Sequence, residues 1–153
     1  MPAPDAPASD APHALIRRRN AAQATLDAWR DRPMRLGQAD CVRMAAAHLR
    51  SLGYKVKLPP AGSYRTVNSA VKALRARGYA DLGEALDAQG LERIAPAGAI
   101  VGDVMLMPAE HALGALVVCM GNGRVAGWHD DHAEGVVVMQ PLQMLAAWRV
   151  DPK

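Results

Sequence analysis

The chain has 153 residues, half of them apolar and 22% charged, with a formal net charge of +3. That length suits one domain with a sizeable core. The charge is too small to imply a nucleic-acid partner by itself, and no apolar run approaches the roughly 18 residues needed to span a membrane. Only 4% of the residues are aromatic and none is Phe, so the core must be built from Ala, Val, Leu and Met. The two cysteines, Cys41 and Cys119, lie too far apart in sequence to suggest a metal pair or a disulfide framework. No basic segment leads into an apolar secretory core, so the expectation is a soluble protein made in a reducing cytoplasm.

Residues 1–13 carry Pro2, Pro4, Pro7 and Pro12 among Ala, Ser and Asp. Such a segment cannot form a core and reads as a flexible arm that becomes ordered on a partner. Residues 14–153 read as a single domain. A first helix is expected over 14–31, with Leu15, Ala22, Leu26 and Trp29 on one face. Pro33 prevents its continuation. The run Arg17-Arg18-Arg19 reads as a solvated face or, alternatively, as a contact to phosphate or an acidic partner.

Gly37 then delivers Asp40-Cys41 to a second helix, from Cys41 to about Leu52. Asp40 is a natural N-cap, because its carboxylate can accept the free amide protons of the first turn. Cys41 would be the first helical residue, where the helix dipole and free N–H groups favour thiolate over thiol. Val42, Ala45, Ala46, Leu49 and Leu52 form the apolar stripe, and Gly53 ends the helix. His48 lies two turns beyond Cys41, about 10 Å along the axis, and so cannot act as its base from the same helix.

Residues 54–63 read as loop around Pro59-Pro60. A third helix is expected over 64–77, and Asp81 caps a short fourth helix that Gly90 ends. Beyond Gly98 the pattern turns to strands. These are Val104–Met107, the continuous apolar run Leu113–Met120, Val125–Trp128, Val136–Met139 and Ala147–Val150, the last closing the sheet. Gly121-Asn122-Gly123 is a hairpin signal, and His129-Asp130-Asp131-His132 reads as a polar turn. Helices first and strands after make an α+β pattern, with the N-terminal helices packed on a C-terminal antiparallel sheet.

A cysteine nucleophile needs a base within hydrogen-bond reach and a group to orient that base. The candidate bases are His111, before the buried strand, and His129, after the return strand, with His132 nearby. Cys119 sits in the most apolar strand and reads as core. His129 and His132, three apart on a turn, could also form half of a metal site, although an exposed polar turn explains them equally well and no further ligand cluster is visible. The chain has no phosphate-binding glycine loop and no Gly-x-Ser-x-Gly, so neither a cofactor nor a metal is expected.

The order Asp40-Cys41, Gly102-Asp103-Val104, Ala112-Leu113-Gly114 resembles the NlpC-type cell-wall cysteine peptidases. The fuller set resembles a branch encoded in phage and prophage tail modules. It comprises Trp29-Arg30, Leu36-Gly37, Asp40-Cys41, Gly62-Ser63-Tyr64, Gly102-Asp103-Val104, Ala112-Leu113-Gly114 and Ala147-Trp148-Arg149-Val150. The resemblance spans about residues 15–151 and implies a papain-like α+β fold with Cys41 as nucleophile. The family's catalytic His falls on Ala112, with His111 one residue away, and a shift of one along a strand reverses the face. The third polar residue falls near Gly127, with His129 two along, about 7 Å away.

Three functions therefore stand open. One is a structural component of a phage tail tip or baseplate, made in the host cytoplasm, located in the virion tail and bound to other tip or hub proteins. A second is an active cysteine peptidase or amidase that cuts peptidoglycan peptides during DNA entry. The third is a cytoplasmic thiol protein unrelated to phage. None involves nucleic acid or membrane insertion.

Overall fold

The computed structural model describes residues 13–153. The arm read over 1–13 therefore lies outside the described residues, apart from His13. The fold is α+β. Among the described residues, four helices accompany one six-stranded antiparallel sheet. The helices are α1 (Ala14–Trp29), α2 (Cys41–Ser51), α3 (Val67–Ala76) and α4 (Leu82–Asp87). The strands are β1 (Glu92–Ile94), β2 (Val104–Met107), β3 (Ala115–Gly121), β4 (Arg124–His129), β5 (His132–Met139) and β6 (Ala146–Arg149).

Side-chain oxygens start the last three helices as local chemistry demands. Asp40, Thr66 and Asp81 each accept from the backbone N–H three residues on, and Thr66 and Ser69 form a reciprocal capping box. That box starts α3 at Val67 instead of 64. The two tight hairpins also follow their turn residues. Asn122 and Gly123 both have positive φ, at 55° and 73°, the geometry of the two-residue turn whose twist matches the strands. Asp130-Asp131 joins β4 to β5, with His129 paired opposite His132.

The sheet order is β1-β6-β2-β3-β4-β5. β6 does not close the sheet at an edge, as the sequence suggested, but lies between β1 and β2. Leu116, Val117, Val118 and Cys119 are all buried, so β3 is covered on both faces as its apolar run required, and Cys119 is core. One face carries Val104, Leu116, Val118, Ala126 and Trp148, and packs against α1 and α2. The opposite face carries Met105, Val117, Cys119, Val125 and Ala147, with Met107, Met139 and Met144 against it.

Two polar groups inside this core were not legible as such. Arg18 is only 2% exposed, which corrects the reading of the arginine run as a solvated or partner-facing surface at that residue, while Arg19 is exposed and Arg17 partly so. Its guanidinium donates to Asp103 Oδ1 at 2.8 Å and to Asp151 Oδ1 at 2.7 Å. Asp103 is wholly buried and also accepts from Ile100 N, Val150 N and Arg149 Nε. This knot pins α1 to the sheet and joins β2 to the residues after β6. Arg18 occupies the α1 face that Leu15 was expected to share, and Leu15 is exposed.

His48 is the second group. It is 1% exposed and spans from Thr25 Oγ1 (3.0 Å) to the Gly102 carbonyl (2.8 Å). Burial holds the imidazole below its ordinary value, so the ring is neutral near pH 7. With Nε2–H donating to the carbonyl, Nδ1 is an acceptor, and it shares the single Thr25 hydroxyl proton with the Ala21 carbonyl, which lies 2.8 Å from Oγ1.

Candidate functional site

The site begins at a turn that only glycine can make. Gly37 has φ +80°, and a Cβ there would collide with the Tyr64 carbonyl. Its N–H donates to Asp40 Oδ2 at 2.8 Å, and its carbonyl accepts from Gly62 N at 2.9 Å. Asp40 is 2% exposed. Oδ1 caps α2 by accepting from Arg43 N at 2.9 Å, and Oδ2 also accepts from the Tyr64 hydroxyl at 2.7 Å. Leu-Gly, Asp-Cys and Gly-x-Tyr, three separate motifs in the sequence, thus form one hydrogen-bonded unit. The carboxylate is fully occupied by donors, and burial followed by the bond to Asp40 pushes the Tyr64 phenol far above its ordinary value. The sequence showed Gly62-Ser63-Tyr64 but not its role, because the partner lies 24 residues away.

Cys41 opens α2, as its sequence predicts. Its thiol, however, is not the expected thiolate. Desolvation pushes it up to about 11. Hydrogen bonding to the Leu116 backbone opposes this, the Asp40 charge reinforces it, and the amides of Cys41 and Val42 at the helix start oppose it. Burial therefore outweighs the helix terminus, and the group is a neutral thiol at pH 7.

The bases expected from sequence both reach the same cavity without engaging the sulfur. His111 is exposed and lies in the bend before β3, which begins at Ala115. Gly114, with φ +74°, ends the turn. His111 and Ala112 are therefore not strand neighbours, and the argument from alternating faces does not apply to them. His111 lines the cavity, and Ala112 does not. His129 ends β4, and its Nδ1 accepts from Asp131 N at 3.0 Å. Among the described residues, no imidazole hydrogen-bonds to Cys41. His132 opens β5 opposite His129. No group of three His, Cys, Asp or Glu among the described residues could hold a metal ion.

The cavity has a volume of about 680 Å³. Asp40, Cys41, Tyr64, His111 and His129 all line it. Most of the remaining wall is aliphatic, contributed by α2, α3, α4 and the segment around Leu58. The structure thus brings the three candidate residues to one cleft, whose nucleophile is protonated and whose Asp40 carboxylate is taken up by two backbone amides and the Tyr64 hydroxyl. Acyl transfer would require an imidazole to move to the sulfur and take its proton.

The family described as "Domain of unknown function (DUF6950)" matches residues 15–150. No curated protein matches the chain.

Proposed function

The chain belongs to the DUF6950 family, and we propose that it serves as a structural or assembly component of a phage tail tip or baseplate. In this reading it uses an NlpC-like, papain-like scaffold with little or no catalysis. The observation that carries the reading is Cys41, a desolvated, neutral thiol on the cavity wall to which no imidazole hydrogen-bonds among the described residues. The motifs behind the family resemblance support it as well, since their polar residues work on the fold. Asp103, Arg149 and Val150 tie the sheet to α1, and Gly37, Asp40 and Tyr64 fix the start of α2. The partners in this reading are other tip or hub proteins, and the place of action is the virion tail.

A second reading, an active peptidase or amidase cutting peptidoglycan peptides, is favoured by one feature, the shared cavity of Cys41, His111 and His129. Digestion of muropeptides by wild type, Cys41→Ala, His111→Ala and His129→Ala, read by mass spectrometry, separates the two. No cleavage by wild type is expected, because losing a positioned acid–base typically costs about 10²- to 10⁴-fold. Cleavage lost with Cys41→Ala and one histidine variant would establish the enzyme and name its base. Mass spectrometry of purified tail particles tests the location, and absence of the chain from them would refute the assembly reading.

A further inference from the structure

The helix α3 is amphipathic, yet none of its residues is buried. It makes no extensive packing with any strand or other helix. An apolar helical stripe normally covers a core. Here Leu74 packs against the core cluster and, together with Ala70 and Ala73, lines the cavity beside Cys41, whose wall also includes Val42, Ala46 and Leu49 of α2. A cavity of about 680 Å³ falls within the usual range for small-molecule sites.

Two polar groups of its wall, Asp40 and Tyr64, are already engaged with each other and with the backbone. Both Asp40 oxygens accept from protein donors, and the Tyr64 hydroxyl is given to Asp40. The charges at the cavity's exposed margin are mostly cationic: Lys55, Lys57 and Arg77 on the α2–α3 side, against the single carboxylate of Asp130 by His129. Arg77 donates to the Lys57 backbone carbonyl at 2.9 Å, which ties the end of α3 to the segment that carries both lysines. Neither lysine forms a salt bridge with a carboxylate among the described residues.

Aliphatic walls with a cationic margin complement a linear apolar tail ending in an anion. We infer that this cavity binds a long-chain carboxylate, with the tail between α2 and α3 and the headgroup at Lys55, Lys57 and Arg77. The inference goes beyond the assembly reading and does not rest on it, since binding requires no turnover at Cys41.

The test is titration calorimetry of the full chain with octanoate, decanoate, laurate and myristate, and with the matching alcohols. Affinity is expected to rise roughly fourfold per added methylene while the tail remains inside the cavity. The carboxylates should bind roughly two- to fivefold more tightly than the alcohols, a difference that Lys55→Glu with Lys57→Glu should remove. Ala73→Phe, which places a ring in the cavity, should abolish binding, and Arg19→Met, on the exposed surface of α1 away from the cavity, should keep it. Affinity independent of chain length, alcohols binding as tightly as acids, or no binding by wild type would each overturn the inference. Because the ligand series is read on wild type, a misfolded variant cannot rescue it. Failure of muropeptide cleavage leaves this result untouched.

Discussion

Replacing Arg18 by Met tests the buried knot directly. Met keeps most of the aliphatic stem and removes only the charged fork. The lost bond to Asp103 joins side chains that are 3% and 0% exposed. Breaking such a pair from one side typically costs about 3–5 kcal/mol, because it leaves a buried charge. Asp103 would still accept from Ile100 N and Val150 N, each at 2.9 Å, and from Arg149 Nε at 3.1 Å. The cost should therefore lie at the lower end, about 3 kcal/mol. The arm to Asp151, whose side chain is 81% exposed, adds less than about 1 kcal/mol. For a domain of this size that is a fall in Tm of about 6–12 °C. Urea denaturation of wild type, Arg18→Met and Arg19→Met gives the comparison, with Arg19→Met within about 0.5 kcal/mol of wild type. A double-mutant cycle with Asp103→Asn should show coupling above about 1 kcal/mol. If Arg18→Met cannot be distinguished from Arg19→Met, the knot does not hold α1.

The Cys41 thiol, with its pKa near 11, is about 10⁻⁴ thiolate at pH 7, so iodoacetamide should modify it more slowly than free cysteine, with the rate rising about tenfold per pH unit up to pH 10; peptide mapping separates it from Cys119, and a plateau below about pH 9 would refute the burial argument. His48 has its pKa lowered by burial, so the unfolded chain binds the extra proton first, and stability should fall as pH drops below about 6.5 until the folded-state pKa is reached. Denaturation of wild type and His48→Gln at about pH 7.5 and about pH 5.5 checks this, and equal pH dependence in the two would contradict it. Gly37→Ala should cost more than about 1 kcal/mol, because it combines a positive φ with a backbone collision at Tyr64. Tyr64→Phe should cost about 1–2 kcal/mol by removing one donor from a buried carboxylate, and a neutral result would show that water replaces the hydroxyl there.

What could be read from the sequence was local. Asp40 and Asp81 announced their helices because a cap acts over three residues, and Asn122-Gly123 announced its hairpin because the turn needs positive φ at both positions. The apolar run of β3 fixed its double burial but not its start, since Leu113 precedes a left-handed glycine and belongs to the turn. That error is why the alternating-face comparison of His111 with Ala112 fails, since both precede the strand. β1 carries Glu92 and Arg93 and shows no apolar alternation; it exists because it pairs with β6. Arg18 and His48 look like surface residues until Asp103 and Gly102 are brought to them across the fold. The Cys41 helix start was legible, but the desolvation of its sulfur was not, because the wall that buries it comes from β3 and the helices beyond the loop.

The position of β6 inside the sheet has a consequence for the order of events on the ribosome. β1 pairs with β6 alone, and β2 is flanked by β6 and β3. During synthesis α1 to α4 and β1 emerge first, but β1 has no strand to join until Ala146–Arg149 has left the exit tunnel. The carboxylate of Asp103 likewise waits for Arg149 and the Val150 amide. Long-range pairing of this kind delays closure of the core and leaves apolar strands uncovered in the nascent chain. A chain truncated before residue 146 should therefore leave the rim of β2 exposed to chaperones and remain protease-sensitive, whereas a chain that includes β6 should be protease-resistant.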